Sequence, residues 1–171
     1  MKIKQIPCNL FVCDVPNHKK HKKELLNLIK EMPINSYGPI SKTDWNINSS
    51  FKRKYLDYFY TYVIKSIMDK QQKYLNAIGS KIENGWFQQY NKKSFHNWHV
   101  HEQSNYTNVY FLELDSPSQV TQIKIGKNKI MKYKAKEGQV ITFPGCLLHK
   151  SQPILNNRKT IIAFNSSFNY E

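Results

Sequence analysis

The 171-residue sequence lacks the features of a membrane protein or of a secreted domain held together by disulfides. No apolar run approaches the roughly 18 residues that a membrane span needs, and the N-terminus lacks the profile of a signal peptide. The three cysteines, Cys8, Cys13 and Cys146, are odd in number and form no C-x-x-C pair. We therefore expect a cytoplasmic protein with reduced thiols and no membrane association.

Linkers, internal repeats and low-complexity tracts are also missing, which favours one domain over residues 1–171. A chain of this length can bury a sizeable core. A hydrophobic content of 40% with 13% aromatic residues indicates a folded globule rather than a disordered segment. We predict helical support over about residues 1–80 and a β core over about residues 83–170.

Acidic residues are scarce, with 12 against 26 lysines and arginines, and the formal net charge is +14. A lysine-rich surface attracts phosphate at long range, so the charge leaves nucleic acid open as a partner. The basic residues are scattered, with local density at residues 19–23, 52–54 and 124–136. No arginine and aromatic interleaving of a known RNA-binding module is present, and an even spread of lysines over the surface is the simpler alternative.

Hydrophobic periodicity predicts an opening strand and two helices in the first half of the chain. Residues 2–14 are rich in β-branched and aromatic side chains, as strands are. Asn17 suits the N-cap of a helix over about 18–31, which Pro33 ends. A second helix over about 52–77 carries an apolar stripe at helical spacing, and this stripe is expected to pack on a sheet.

Short strands separated by turns follow Gly85, and Gly126-Lys127-Asn128 suits a hairpin turn. Seven or eight antiparallel strands after two helices are typical of a mainly β fold, a jelly roll backed by N-terminal helices. The predicted strands are residues 86–90, 97–101, 107–114, 119–125, 130–133, 139–143 and 160–168.

An H-x-H sequence at His99 and His101 indicates a metal site because a Gly-x5-Pro…His pattern that ends at His149 follows it; the H-x-H pair alone would be weak evidence. On a strand both side chains point to the same face, because the side-chain period is two. His149 follows the predicted strand and turn at residues 138–144 and could supply a third ligand. Imidazole binds Fe(II), Zn, Cu, Ni and Mn, so the ligand type alone does not identify the metal.

Position 101 leaves an alternative open, because mononuclear iron oxygenases usually combine two histidines with one carboxylate in the order H-x-D/E…H. The nearest acid here is Glu102, which faces away from the metal on a regular strand. Either the site has three histidines, or a β-bulge turns Glu102 inward. We favour His101. By spacing, His96 is expected on the opposite sheet face, and His18 and His21 are expected in solvent.

Arg158 lies nine residues after His149 and opens the last predicted strand, with Thr160 on the same face. A guanidinium binds a carboxylate bidentately, and a neighbouring hydroxyl adds a hydrogen bond. These two residues predict an anion pocket beside the metal, while Lys159 should face the other way. Three further residues are candidates to line this pocket: Tyr90, Tyr110 and Thr107.

Together these segments resemble the non-haem Fe(II)- and 2-oxoglutarate-dependent dioxygenases. The chain looks particularly similar to small, uncharacterised members from marine bacteria and phages. The similarity covers nearly the whole chain, and the Arg-x-Thr pairing near its end is a familiar form of the co-substrate clamp. The segments that carry it are residues 6–14, 98–101, 107–114, 138–144, 148–149 and 158–165.

This resemblance implies a double-stranded β-helix that uses Fe(II), 2-oxoglutarate and O2 and releases succinate and CO2. By resemblance, iron would bind at His99, His101 and His149, and 2-oxoglutarate at Arg158. The expected activity is hydroxylation of an unidentified substrate. The oligomeric state is open, with a homodimer as one option.

Two alternatives to a hydroxylase stay open at this point. A non-catalytic cupin-like module would use the same fold with Zn or Ni to bind a small ligand or a partner. A nucleic-acid demethylase of the same superfamily is favoured by the charge alone. The pairing of Arg158 with Thr160 discriminates, because a cupin has no need for such a clamp. Substrate recognition is expected in the loops at residues 35–50 and 102–106.

Overall fold

The computed structural model describes residues 8–102, 104–127 and 129–171. Helix α1 spans His18–Lys30, and a second, longer helical segment is divided by a π-helical turn at Tyr60–Ile64 into α2 and α3. None of the helices described has the length and hydrophobicity needed to cross a bilayer. The remaining elements are α2 Lys54–Phe59, α3 Lys65–Tyr74, β1 Phe11–Asp14, β2 Lys42–Thr43, β3 Gly79–Tyr90, β4 His96–His99, β5 Tyr106–Glu113, a 3-10 turn Pro117–Gln119, β6 Gln122–Ile123, β7 Gln139–Pro144, β8 His149–Ser151 and β9 Lys159–Asn169.

The strands form two antiparallel sheets. The large sheet has the order β1-β7-β5-β9-β3-β2, and the small sheet has the order β4-β8-β6. One hydrophobic core lies between the helices and the large sheet, and the other lies between the two sheets. This arrangement confirms the prediction of a jelly roll backed by two helical segments.

Side-chain alternation along β9 assigns each residue to one of the two cores. Ile162 and Phe164 join the core beneath the helices, while Ile161 and Ala163 join the core inside the barrel. The same alternation places Lys159 on the barrel side, together with Asn165. Both faces of this strand are therefore buried.

Several predicted element bounds differ from the structure. The opening strand starts at Phe11, and residues 2–7 of the prediction lie outside the described residues, as does Asn128 of the predicted hairpin turn. β3 begins at Gly79, well before the predicted strand at 86–90. The predicted strand at 130–133 is reduced to a single bridge between Lys124 and Ile130. β8 was not predicted, because three residues are too few to show alternation.

Candidate metal site and anion pocket

The three predicted metal ligands meet at the mouth of the barrel. His99 on β4 pairs in register with His149 on β8. His101 follows the end of β4, and its backbone N–H donates to the Gly145 carbonyl at 3.0 Å. One ligand atom from each of the three histidines lies within 4.8 Å of the others. This spacing allows one metal ion to bind all three imidazoles.

Backbone carbonyls fix the ring orientation of two of these histidines. The Nδ1 of His99 lies 2.8 Å from the Asn97 carbonyl oxygen, and the Nδ1 of His149 lies 2.9 Å from that of Leu147. A carbonyl oxygen can only accept, so each Nδ1 carries the proton. The Nε2 lone pairs of both rings are therefore free for a metal.

A side-chain relay fixes the third ring. The Nδ1 of His101 donates to Asn165 Oδ1 at 2.6 Å, and Asn165 Nδ2 donates in turn to Asn84 Oδ1 at 2.9 Å. Asn165 lies on the barrel face of β9, so the large sheet itself orients a ligand that follows the small sheet. Such outer partners of metal-binding histidines set both ring orientation and ligand basicity.

Burial keeps these rings in the form that binds metal. It lowers the pKa of His149 to about 3 and that of His101 to about 4, and it also lowers the pKa of His99. The imidazoles are therefore neutral near pH 7, and neutral imidazole is the ligand form. Both ring orientation and protonation state fit a transition-metal ion.

His96 lies beside the three ligands, contrary to the prediction that it faces the surface. A β-bulge separates it from His99 in the pairing with β8, so the odd spacing does not reverse its direction. The two ring centroids are 3.9 Å apart. Burial, with a smaller contribution from His99, lowers the pKa of His96 to about 4.

A cleft of about 460 Å³ opens in front of the histidines. Its aromatic wall includes Trp45, whose ring centroid is 4.4 Å from that of Trp86 in an edge-on arrangement. Glu102 lines the cleft but is exposed. Within the described part of the chain no carboxylate joins the histidine cluster, so the structure favours the three-histidine site over an inward Glu102.

Arg158 and Thr160 are not brought to the histidines. The Nε and Nη2 of Arg158 donate to the two carboxylate oxygens of Glu113, each at 2.9 Å, and nearly half of the arginine side chain is exposed. The Thr160 hydroxyl also donates to Glu113. The reason is the alternation of β9, which turns Thr160 away from the face that carries Asn165.

Lys159 instead points into the barrel and is fully buried. Its Nζ donates to the Gln119 carbonyl at 2.7 Å and to Ser151 Oγ at 3.1 Å. It also lies 5.4 Å from the centroid of Tyr90 and 5.7 Å from that of Phe111. Burial lowers its pKa to about 7, and no carboxylate among the described residues forms an ion pair with it. A buried ammonium without a counter-ion is costly unless an anion joins it.

The other predicted pocket residues divide between the two faces of the large sheet. Tyr90 is buried in the barrel, where its hydroxyl donates to Gln88 Oε1 at 2.6 Å. Thr107 is also buried, and its hydroxyl has no hydrogen-bond partner in the described structure. Tyr110 faces the helices, and its hydroxyl lies 2.7 Å from Nδ1 of His18. His18 is thus packed against the sheet rather than solvated.

Lys159 and Asn165 are the candidate site residues that sequence reasoning missed. The sequence did contain an indication of their shared position. Lys159 and Asn165 lie on either side of the apolar run 161–164 and are six positions apart, so on one strand their side chains point to the same face. In the structure this face of β9 points into the barrel, but the sequence alone does not show which of the two faces does so.

No protein-family model and no curated protein matches the sequence. Solved structures do match. A viral collagen prolyl hydroxylase from Paramecium Bursaria Chlorella virus-1, solved with 2-oxoglutarate, is 16% identical, with a TM-score of 0.60 over 95% of this chain and 96% of that one. A 2OG-Fe(II) oxygenase family oxidoreductase from Burkholderia pseudomallei is 12% identical, with a TM-score of 0.71 over 92% of this chain and 84% of that one.

A third similar structure is HygX from Streptomyces hygroscopicus, solved with nickel and 2-oxoglutarate. It is 10% identical, with a TM-score of 0.64 over 93% of this chain and 82% of that one. At these identities the likeness establishes the fold. The chain has the double-stranded β-helix fold found in 2OG-Fe(II) oxygenases.

Proposed function

We propose that this protein is an Fe(II)- and 2-oxoglutarate-dependent oxygenase that hydroxylates a substrate bound in the 460 Å³ cleft. The observation that carries the proposal is the pairing of two features inside one barrel. Three neutral imidazoles present free Nε2 atoms, and a buried lysine without a carboxylate partner lies behind them. A ligand with a metal-chelating end and an anionic end fits both features.

Lys159 takes the co-substrate role in this proposal, in place of Arg158. Its Nζ contacts Ser151, which follows His149 by two residues on the same face of β8. Two residues of strand span about 7 Å, a separation that suits a five-carbon dicarboxylate. The Thr107 hydroxyl is available inside the same barrel as a further donor.

The interior space beside the histidines is narrow. A cavity of about 20 Å³ lies between the histidines and the Tyr90 side of the barrel. Side chains that line this cavity would have to move to admit the co-substrate, and the hydrogen-bonded pair of Gln88 and Tyr90 is among them. The 460 Å³ cleft, which Gln88 also lines, gives the entry path.

Fe(II), when bound, would couple the oxidative decarboxylation of 2-oxoglutarate by O2 to the insertion of one oxygen atom into a substrate C–H bond. The chain's own residues supply position and environment. His99, His101 and His149 hold the metal on one side and leave its other side open. Lys159 orients the distal carboxylate, and the apolar barrel wall excludes water.

The substrate class stays open within this proposal. The similar structures include a collagen prolyl hydroxylase and an enzyme solved with hygromycin B, so the shared fold does not select a substrate. Trp45 and Tyr37, both half-exposed in the cleft, are the candidate contacts.

An anaerobic titration tests the proposal. Fe(II) is added to the apoprotein, then 2-oxoglutarate, and the weak visible metal-to-ligand charge-transfer band is recorded. The band should appear only with both additions, should be absent with succinate, and should be lost in His149→Ala. Metal binding without a band would contradict the proposal and favour a cupin-like binding module.

A further inference from the structure

The outer face of the small sheet carries an aromatic ring between two lysines. Trp98 and Lys150 alternate with the inward-facing His99 and His149, so they point away from the barrel. Trp98 is 37% exposed. Lys150 Nζ lies 4.8 Å from the Trp98 ring centroid, and Lys124 Nζ lies 5.9 Å from it.

The segment beside this face is strongly basic. Two backbone hydrogen bonds join residues 123–125 to residues 129–131: the Ile125 N–H donates to the Lys129 carbonyl, and the Met131 N–H donates to the Ile123 carbonyl. Glu137 is the only acidic residue between positions 116 and 170. In the described ranges, no lysine of the following set forms an ion pair with a carboxylate: Lys124, Lys127, Lys129, Lys132, Lys134 and Lys150.

We propose that this outer face, centred on Trp98, binds single-stranded nucleic acid. Lys124 and Lys150 would contact phosphates, and the Trp98 ring would stack on a base. The proposal goes beyond the oxygenase assignment and does not depend on it, because no metal or co-substrate takes part. The binding face and the histidine cluster are opposite sides of the same two strands, β4 and β8.

Charge and shape together favour this partner. Unpaired lysines attract any polyanion, and each phosphate contact releases counterions. A phosphate that draws the two ammonium groups from the Trp98 ring frees its π-face, and a base from a single strand can then stack there. Duplex bases are already stacked on one another, so a duplex could use only the lysines.

Fluorescence anisotropy with labelled oligonucleotides about 15 nucleotides long tests the proposal, with single-stranded DNA, single-stranded RNA and a duplex as probes. We expect the single strands to bind more tightly than the duplex. Trp98→Ala should weaken single-strand binding about tenfold, and Trp98→Phe should keep most of it. Thermal unfolding and metal binding of each variant check that the fold is intact.

A matched pair of charge variants separates this site from general attraction. Lys124→Gln/Lys150→Gln should lower the slope of log affinity against log salt by about 1.4, which corresponds to two phosphate contacts on a single strand. Lys20→Gln/Lys23→Gln removes the same charge from exposed positions on α1, across the large sheet, and should change the slope little.

Three results would overturn the proposal. One is no oligonucleotide binding at low salt. Another is an equal loss in both lysine pairs with an unchanged Trp98→Ala, which would mean non-specific attraction. The third is Trp98-dependent binding to phosphatidylserine vesicles without oligonucleotide binding, which would mean a lipid surface instead.

Discussion

Two buried ionisable side chains, one on each side of the large sheet, differ in whether the protein supplies a partner of opposite charge. Asp44 is fully buried beside the helices, where its carboxylate accepts from Arg53 Nε at 2.8 Å, the Tyr55 hydroxyl at 2.6 Å and the Phe87 N–H at 2.9 Å. Lys159 is equally buried in the barrel, but its hydrogen bonds go to neutral oxygens. The Asp44 carboxylate has a cationic partner in the protein, whereas Lys159 has no carboxylate partner among the described residues.

This difference separates the region that holds the fold from the region that holds the site. A compensated charge is costly to break, because its removal leaves partners unpaired. A buried charge without a partner of opposite sign lowers the stability of the folded protein. The buried Lys159 therefore lowers the stability of the barrel interior, and the 2-oxoglutarate carboxylate of the proposed function would offset that loss.

The largest expected effect on stability is at Asp44, the buried charge that has a partner in the protein. Asp44→Ala leaves Arg53 and the Phe87 N–H without their partner, and we expect the free energy of unfolding to fall by about 3–5 kcal/mol. Urea denaturation measures this loss. Glu31→Gln is the control, because the exposed pair of Glu31 with Lys54 should contribute less than about 1 kcal/mol.

Substitution of Lys159 should raise, rather than lower, the free energy of unfolding. Lys159→Met replaces a buried ammonium with an apolar side chain of similar length, so the free energy of unfolding at pH 7 should rise by about 1–3 kcal/mol. The same urea titration checks it. A loss of several kcal/mol would show that the charge is needed for the fold and would weaken the comparison with Asp44.

The pH dependence of stability sharpens this comparison. The pKa of Lys159 is lowered to about 7 in the folded state, below its unfolded value, so the unfolded chain binds more protons between these two pKa values. Stability should therefore rise with pH above 7. Between pH 7 and 9 the wild type should gain about 2 kcal/mol relative to Lys159→Met. Parallel pH profiles for the two proteins would contradict the buried-cation account.

A smaller effect is expected where the large sheet orients the metal site. Asn165→Ala removes the acceptor for Nδ1 of His101, and we expect about tenfold weaker metal binding, since the hydrogen-bond partners of metal-binding histidines typically contribute this much. Competition with a chromogenic chelator measures the affinity. Asn97→Ala is the control, because it changes a side chain while the carbonyl that binds His99 stays in place.

The sequence was sufficient to predict the architecture and the three histidines, because both rest on local spacing. Helical periodicity and the H-x-H pair are readable without knowledge of the tertiary structure. The orientation of β9 could not be predicted in this way. Apolar residues occupy both of its faces from Ile161 to Phe164, so the alternation does not show which face points into the barrel. That ambiguity is why the sequence analysis assigned Arg158, rather than the buried Lys159, to the predicted anion pocket.

The position of His96 was predicted wrongly because the sequence does not reveal the bulge in β4. His96 and His99 differ by three positions, which on a regular strand would place them on opposite faces. The irregularity arises from the pairing of β4 with β8, and β8 is itself too short to show a pattern. Spacing arguments therefore work within one regular strand and fail where the partner strand sets the geometry.

The measurement that tests the central claim most directly is 2-oxoglutarate binding to the Mn(II)-loaded protein by anaerobic calorimetry, with Lys159→Met and Arg158→Ala compared. These neighbouring residues carry the same charge and differ in the face they occupy. We predict about 100-fold weaker binding for Lys159→Met, from the loss of a buried charge-assisted contact, and nearly unchanged binding for Arg158→Ala. Weakened binding in Arg158→Ala with normal binding in Lys159→Met would contradict the account.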